Sequence, residues 1–224
     1  MQRYYKMISL SEACVVFDLD DTLYPEVDYQ RSGFDAISKF VCTLFDQDVS
    51  QVISESQKEG GDVIEEICTS LSLPERVKES FIWYYRLHQP NISLNDEVKG
   101  VIEFFKENAK HLAIITDGRE VSQKQKILAL GIDDIPAFIS ESWGESKPGL
   151  KRFEYVMKTM PANHYIYIGD NLNKDFIAPN KLGWLTLGIL DKGNNIHSQN
   201  IDVPDCFKPK SWLGNISEIY SFFE

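Results

Sequence analysis

Short apolar runs that end in acidic or hydroxyl residues recur along this chain. Residues 13–17 (Ala-Cys-Val-Val-Phe) lead into Asp18, and residues 111–115 (His-Leu-Ala-Ile-Ile) lead into Thr116-Asp117-Gly118. Residues 165–168 (Tyr-Ile-Tyr-Ile) lead into Gly169-Asp170. An unbroken apolar run rich in β-branched and aromatic side chains predicts a strand buried on both faces. Residues 184–189 predict a fourth strand, and 137–139 a short fifth. Between these runs the apolar positions change to helical spacing. Val98, Val101, Ile102, Phe104 and Phe105 predict a helix over 96–108, capped by Ser93 or Asn95. Residues 120–130 predict another, stopped by Gly131, and 150–160 a third, halted by Pro161. Strands alternating with helices predict an α/β fold, a parallel sheet covered on both faces.

The alternation fails between about residues 27 and 90, where no strand pattern occurs. Phe34, Ile37, Phe40, Val41, Leu44 and Phe45 line one helical face; 49–58 and 63–71 predict shorter helices, and 75–87 a longer one. Gly60-Gly61 and Pro74 read as turns. This predicts a small all-helical domain, 25–93, inserted into a core built from 1–24 and 94–224. The aromatic residues Phe81, Trp83, Tyr84 and Tyr85 are expected mostly in the insert's own core, with Arg86 and His88 as candidate ligands. Tyr24 and Pro25 are expected to border a pocket. Residues 194–210 predict a polar surface loop and 215–222 a final helix packed on the sheet.

The formal net charge of −11 argues against a dedicated nucleic-acid partner, so any phosphate must meet a locally built positive site. Cys14, Cys42, Cys68 and Cys206 lack the close spacing of a metal or redox motif and are expected as buried free thiols in a reducing compartment. Met1 to Lys6 lead straight towards the first strand, so no secretory signal is expected, and the apolar runs are too short to span a bilayer. A cytoplasmic protein without a membrane partner is expected, and nothing in the sequence specifies an oligomeric state.

The chemistry concentrates at strand ends, where open α/β sheets bind ligands. After the first strand the chain reads Asp18-Leu19-Asp20-Asp21-Thr22-Leu23. Two carboxylates one residue apart can share a cation and divide labour, one attacking and one moving a proton. A calcium loop is excluded, because Leu23 stands where that loop needs glycine and Tyr29 where it needs glutamate. An isolated Asp-x-Asp reads as an acidic turn; three strands ending in polar groups at one sheet edge favour a site.

That segment resembles the first motif of the haloacid dehalogenase superfamily, Asp-x-Asp-x-Thr after a hydrophobic strand. Thr116 resembles the second motif, Lys147 in Ser146-Lys147-Pro148-Gly149 the third, and Gly169-Asp170 with Asp175 the fourth. The resemblance covers 13–24 and about 94–189. It implies a Rossmann-like core with a helical cap domain, and a magnesium-dependent phosphatase that acts on a small phosphorylated metabolite. Asp18 would attack phosphorus to form an aspartyl-phosphate, and Asp20 would protonate the leaving oxygen and later deprotonate water. Asp18, Asp170 and the backbone carbonyl of Asp20 would hold Mg2+. Thr116 and the neighbouring Asp117 and Gly118 would bind phosphoryl oxygens, Lys147 would neutralise their charge, and Asp175 would orient Lys147 or a metal-bound water. Asp117 stands where the family often has Asn, a departure expected to change local hydrogen bonding. Arg119 is equally readable as a substrate contact or as a solvated side chain. Asp21 reads as a turn residue, and His111, His164 and His197 show no metal-type spacing.

Rival chemistries follow from the same family. A dehalogenase has no leaving alcohol and no need of Asp20, and phosphonate cleavage needs a buried cap lysine that Lys39, Lys58 and Lys78 do not announce. A phosphomutase would use the same Asp pair, whereas a phosphate-binding regulator without turnover is disfavoured by the complete motif set, since such a protein usually loses at least one catalytic group. For substrate, Thr116 to Arg119 with Gln123, Lys126 and Leu130-Gly131 resemble sugar-phosphate and acylneuraminate-phosphate phosphatases, whereas Asp20 to Pro25 resemble pyrimidine nucleotidases. A sugar phosphate is favoured over a nucleoside 5'-monophosphate.

Overall fold

A computed structural model describes residues 8–223; residues 1–7, where no secretory signal is expected, and 224 lie outside the described residues. The sheet contains β1 (Ala13–Phe17), β2 (His111–Thr116), β3 (Ala137–Ile139), β4 (His164–Gly169), β5 (Leu185–Ile189) and β6 (Ser211–Leu213). Their spatial order is β3-β2-β1-β4-β5-β6, and every pairing is parallel. This is the doubly wound order, in which the crevice for ligands opens between β1 and β4. All five residues of β1 are buried, as its continuous apolar run requires of a central strand.

Register carries the strand ends to one edge. Phe17 lies opposite Ile114 on β2 and Ile168 on β4. The ladder continues one residue further, where the Asp18 N–H donates to the Ile168 carbonyl at 2.8 Å. The helix Asp96–Asn108 is capped by Asn95, whose side chain accepts from the Val98 N–H. The helix Glu120–Ala129 ends before Gly131, which takes φ +69°. Phe153 and Val156, on the helix Lys151–Thr159, pack with Val16, Ala113 and Tyr167 beneath the sheet.

Several elements differ from the sequence expectation. The three-residue β6 extends the sheet beyond β5, too short to show a period. The fourth apolar run starts pairing at Leu185; Trp184 is buried instead against Tyr165, ring centroids 5.0 Å apart. The final segment, Ile216–Phe222, is a 3-10 helix.

The chain divides into two compact units, Met1–Val27 with Ser93–Glu224, and Asp28–Ile92. The second unit is helical, formed from most of Glu26–Phe45 with Ser50–Glu59, Val63–Ser70 and Val77–Leu87. Ile37, Val41, Ile53, Ile67 and Phe81 form its buried centre. Not all of its aromatics are core, however. Trp83 and Tyr84 are exposed: Trp83, two residues after Phe81, lies on the other side of the helix with Arg86 over its ring, while Tyr84 covers the edge of the cluster, stacked on Phe40 at 4.5 Å between centroids. His88 is buried and ties the unit together, one ring nitrogen meeting the Tyr85 carbonyl at 2.5 Å and the other Ser32 Oγ at 3.1 Å.

The four cysteines are free, but only Cys14 and Cys68 are buried; Cys42 and Cys206 are exposed. Among the described residues no helix is long and apolar enough to cross a membrane.

Candidate active site

Asp18, at the end of β1, is buried, and its Oδ1 accepts from Lys147 Nζ at 2.8 Å. The same ammonium meets Asp175 Oδ1 at 2.7 Å and the Tyr167 hydroxyl at 3.0 Å. The other oxygen of Asp175 accepts from the backbone N–H groups of Asp170 and Asn171, at 3.1 and 2.8 Å. Asp175 therefore folds the turn after β4 back under the strand end. Gly169 permits this, since a Cβ there would lie 2.6 Å from Asp175 Oδ2.

Three carboxylates share this space with one lysine. Oxygens of Asp18, Asp170 and Asp175 all lie within 4.8 Å of one another. Burial works against the Lys147 charge, but Asp175 and Asp18 outweigh it and hold the ammonium well above the usual lysine range. Burial pushes Asp18 up to about 6 against the pull of Lys147. Burial, then Asp175 and Asp18, push Asp170 up to about 8. Hard oxygen donors, buried and carrying more negative charge than Lys147 neutralises, fit a divalent cation. The Asp20 side chain stands outside this group; the sequence reading assigns that residue only its carbonyl.

Asp20 has an environment of its own. Its Oδ1 accepts from Lys126 Nζ at 2.8 Å and from the Tyr24 hydroxyl at 2.5 Å, and its Oδ2 from Gln123 Nε2 at 2.8 Å. Burial would raise its pKa, but the Lys126 charge and these hydrogen bonds prevail and hold it below the usual carboxylate range. Asp21 is the turn residue, at φ +56°, and its two oxygens accept from the N–H groups of Glu26 and Ile196.

The residues after β2 separate. Thr116 is buried, with Oγ1 2.6 Å from Gln123 Nε2, and it lines a pocket with Asp18, Asp20 and Asp170. Asp117 borders that pocket, but its carboxylate is turned inward. It accepts from Arg152 Nη2 at 2.6 Å, and both its oxygens accept from the Lys147 N–H at 3.1 Å. Arg152 is fully buried and also donates to the Thr116 carbonyl at 2.7 Å. Gly118 donates from its N–H to Ser140 Oγ at 3.0 Å. Arg119 pairs with Glu141 at 2.7 Å in an exposed contact and lines a different pocket. The arrangement thus gathers Asp18, Asp20, Thr116, Lys147, Asp170 and Asp175, and leaves Arg119 apart.

Sequence reading did not assign Arg152, Lys174, Asn195 or His197 to the site, and it used Gln123 and Lys126 only for resemblance. Lys174 and His197 line the pocket. Asn195 lies in the stretch expected to be a plain surface loop, yet its Nδ2 donates to Asp170 Oδ2 at 2.8 Å. Gln199 donates to the Asp170 carbonyl at 2.8 Å. Asp191 anchors that loop by accepting from three successive N–H groups, those of Gly193, Asn194 and Asn195. The available signal was the density of Asn and Asp, which favours such turns.

Comparison with known proteins adds kinship to this geometry. The family described as haloacid dehalogenase-like hydrolase matches residues 15–189. The chain is similar to a glyceraldehyde 3-phosphate phosphatase of Methanocaldococcus jannaschii, 25% identical over 194 residues, which cover 79% of this chain and 84% of that protein. A protein of the same name from Methanopyrus kandleri is 26% identical over 226 residues, covering 92% and 97%. Among solved structures, the HAD hydrolase YfnB of Bacillus subtilis, bound to magnesium, shares the fold with a TM-score of 0.64 at 18% identity, covering 95% of this chain and 98% of that one.

Proposed function

This chain belongs to the haloacid dehalogenase-like hydrolase family, and from that premise we propose that it is a magnesium-dependent phosphatase of small phosphorylated metabolites, with a three-carbon sugar phosphate as the preferred substrate. The observation that carries this reading is the separation of two carboxylates one residue apart. Asp18 meets Lys147, while Asp20 meets Lys126, Gln123 and Tyr24. Neighbouring acids in different environments are equipped for different tasks.

In the first half-reaction Asp18 Oδ forms a bond to phosphorus as the ester P–O bond breaks, and a proton passes from Asp20 to the leaving oxygen. In the second, a water oxygen bonds to phosphorus, the Asp18–phosphorus bond breaks, and the water proton passes to Asp20. The free protein holds Asp20 as the carboxylate that the second half needs. A bound phosphate dianion beside it raises its proton affinity for the first half. Lys147 and the Thr116 hydroxyl face the phosphoryl oxygens and take up their charge. Asp18, Asp170 and the Asp20 carbonyl are the residues that would hold Mg2+, which when bound shields the repulsion between the carboxylate nucleophile and the phosphate. The same reading gives the helical unit the part of a cap domain.

The relatives named glyceraldehyde 3-phosphate phosphatase support the substrate class. The test is phosphate release with magnesium from glyceraldehyde 3-phosphate, larger sugar phosphates and nucleoside 5'-monophosphates, for the wild type and Asp18→Asn. Wild-type release, strongest from the small sugar phosphate, with none from a folded Asp18→Asn, is the expected result. Release by Asp18→Asn overturns the nucleophile, a best nucleotide substrate overturns the class, and no release at all overturns the phosphatase.

A further inference from the structure

We propose that Gln123 and Lys126 are positioning residues for Asp20, so that the helix Glu120–Ala129 determines how well the protein expels leaving groups that need a proton. The inference rests on the phosphatase reading above. Gln123 and Lys126 are 1% and 3% exposed, one turn apart on the helix face that also buries Ile127. Apolar residues would pack such a face at lower cost, because a buried ammonium or amide is unfavourable unless it is fully bonded. Both side chains direct their donors to the same carboxylate, Lys126 to Asp20 Oδ1 and Gln123 to Asp20 Oδ2, each at 2.8 Å. Tyr24 adds a third bond on Oδ1. Rotation of the Asp20 carboxylate would break all three, so its aim into the pocket is set by these side chains together. Gln123 extends the constraint, since its Nε2 also lies 2.6 Å from Thr116 Oγ1 and couples the proton donor to the end of β2.

The consequence depends on the leaving group. An aryl phosphate departs as a stabilised phenolate and needs no proton, whereas an alkyl phosphate does. Both then form the same aspartyl-phosphate, whose hydrolysis needs Asp20 as base. A misplaced Asp20 therefore slows both steps for an alkyl ester but only the second for an aryl ester. General acid–base catalysis of this type contributes about 10²–10⁴-fold.

The experiment compares wild type, Lys126→Met, Gln123→Leu and Asp20→Asn on glyceraldehyde 3-phosphate and p-nitrophenyl phosphate, by steady-state turnover and by rapid mixing. Lys126→Met is expected to lose about 10²-fold on the alkyl ester. On the aryl ester it should show a p-nitrophenol burst approaching one equivalent per site, a partial copy of Asp20→Asn. Lys126→Arg should restore part of the alkyl activity, and Gln123→Leu carries the same expectation should Lys126→Met fail to fold. Equal losses on both esters without a burst, or no loss on either, overturn the inference while the wild type remains a phosphatase. A wild type silent on both esters instead overturns the functional reading, and this inference with it.

Discussion

Lys147 sets its ammonium between Asp18 and Asp175, 2.8 Å from one and 2.7 Å from the other, with the lysine and Asp175 side chains wholly withdrawn from solvent. A cation so placed is structural, and on the proposed function it is catalytic as well. Lys147→Met leaves two buried carboxylates without their partner, a change that typically costs about 3–5 kcal/mol. It also removes a charge aimed at the phosphoryl group, worth about 10²–10³ in turnover. Denaturant unfolding and phosphate release should both move; an unchanged unfolding midpoint would show that the pairs contribute no net stability.

Metal binding should depend on pH in a defined direction. Asp18 and Asp170 lie at about 6 and about 8 in the metal-free fold, above the usual carboxylate range near about 4. Such groups stabilise the fold fully below their unfolded pKa, and the contribution is lost as pH rises through their folded values. The chelated protein should therefore lose thermal stability between pH ~5 and ~8, and magnesium should restore it. Because the ion displaces protons below about 8, calorimetric affinity for magnesium should rise from pH ~6 to ~8 with net proton release. A flat affinity across that range would remove Asp170 from the ligand set.

Asn195 offers a separate probe of the same centre. Its amide donates to Asp170 Oδ2 and so fixes the orientation of that carboxylate. Loss of such an outer contact typically weakens metal binding about 10–100-fold. Asn195→Ala should raise the magnesium dissociation constant within that range while leaving the circular dichroism spectrum unchanged. An unaltered constant would mean that Asp170 is oriented without Asn195, by the turn and by the Thr22 hydroxyl that donates to its Oδ1 at 3.4 Å.

Asp117 should behave as scaffold. Its carboxylate faces buried Arg152 and the Lys147 N–H. Asp117→Ala strands the guanidinium and should destabilise by about 3–5 kcal/mol, and Asp117→Asn, which keeps one acceptor, by about 1–3 kcal/mol. KM should stay within about twofold in the Asn variant, because uniform substrate binding is untouched. A tenfold rise in KM without loss of stability would return Asp117 to the substrate.

What could be read from the sequence follows physical length scales. β1, β2 and β4 are unbroken apolar runs, so their ends, and with them Asp18, Thr116 and Asp170, were visible as places where burial gives way to polarity. Lys147 and Asp175 were legible only through the order of the motifs, since each lies in a turn without periodicity. The support for Asp20 was hidden because Gln123 and Lys126 look like the polar positions of an ordinary amphipathic helix, and only the third dimension shows them facing inward. Arg152 is similarly disguised, fully buried within a helix whose other charged residues face out. β6 left no trace because three residues cannot display an alternation.

The strand order has a consequence for the life of the chain. β1 pairs with β2 on one side and β4 on the other, so the candidate site is stitched from segments distant in sequence. Contacts of this kind form late, after the largest loop-closure entropies have been overcome. A chain still emerging, and not yet extended through Gly169-Asp170, possesses Asp18 but neither Asp170 nor Asp175 to complete the carboxylate cluster. On the proposed function, turnover requires β1, β2 and β4 together, so recovered turnover after denaturation reports their assembly rather than any local segment.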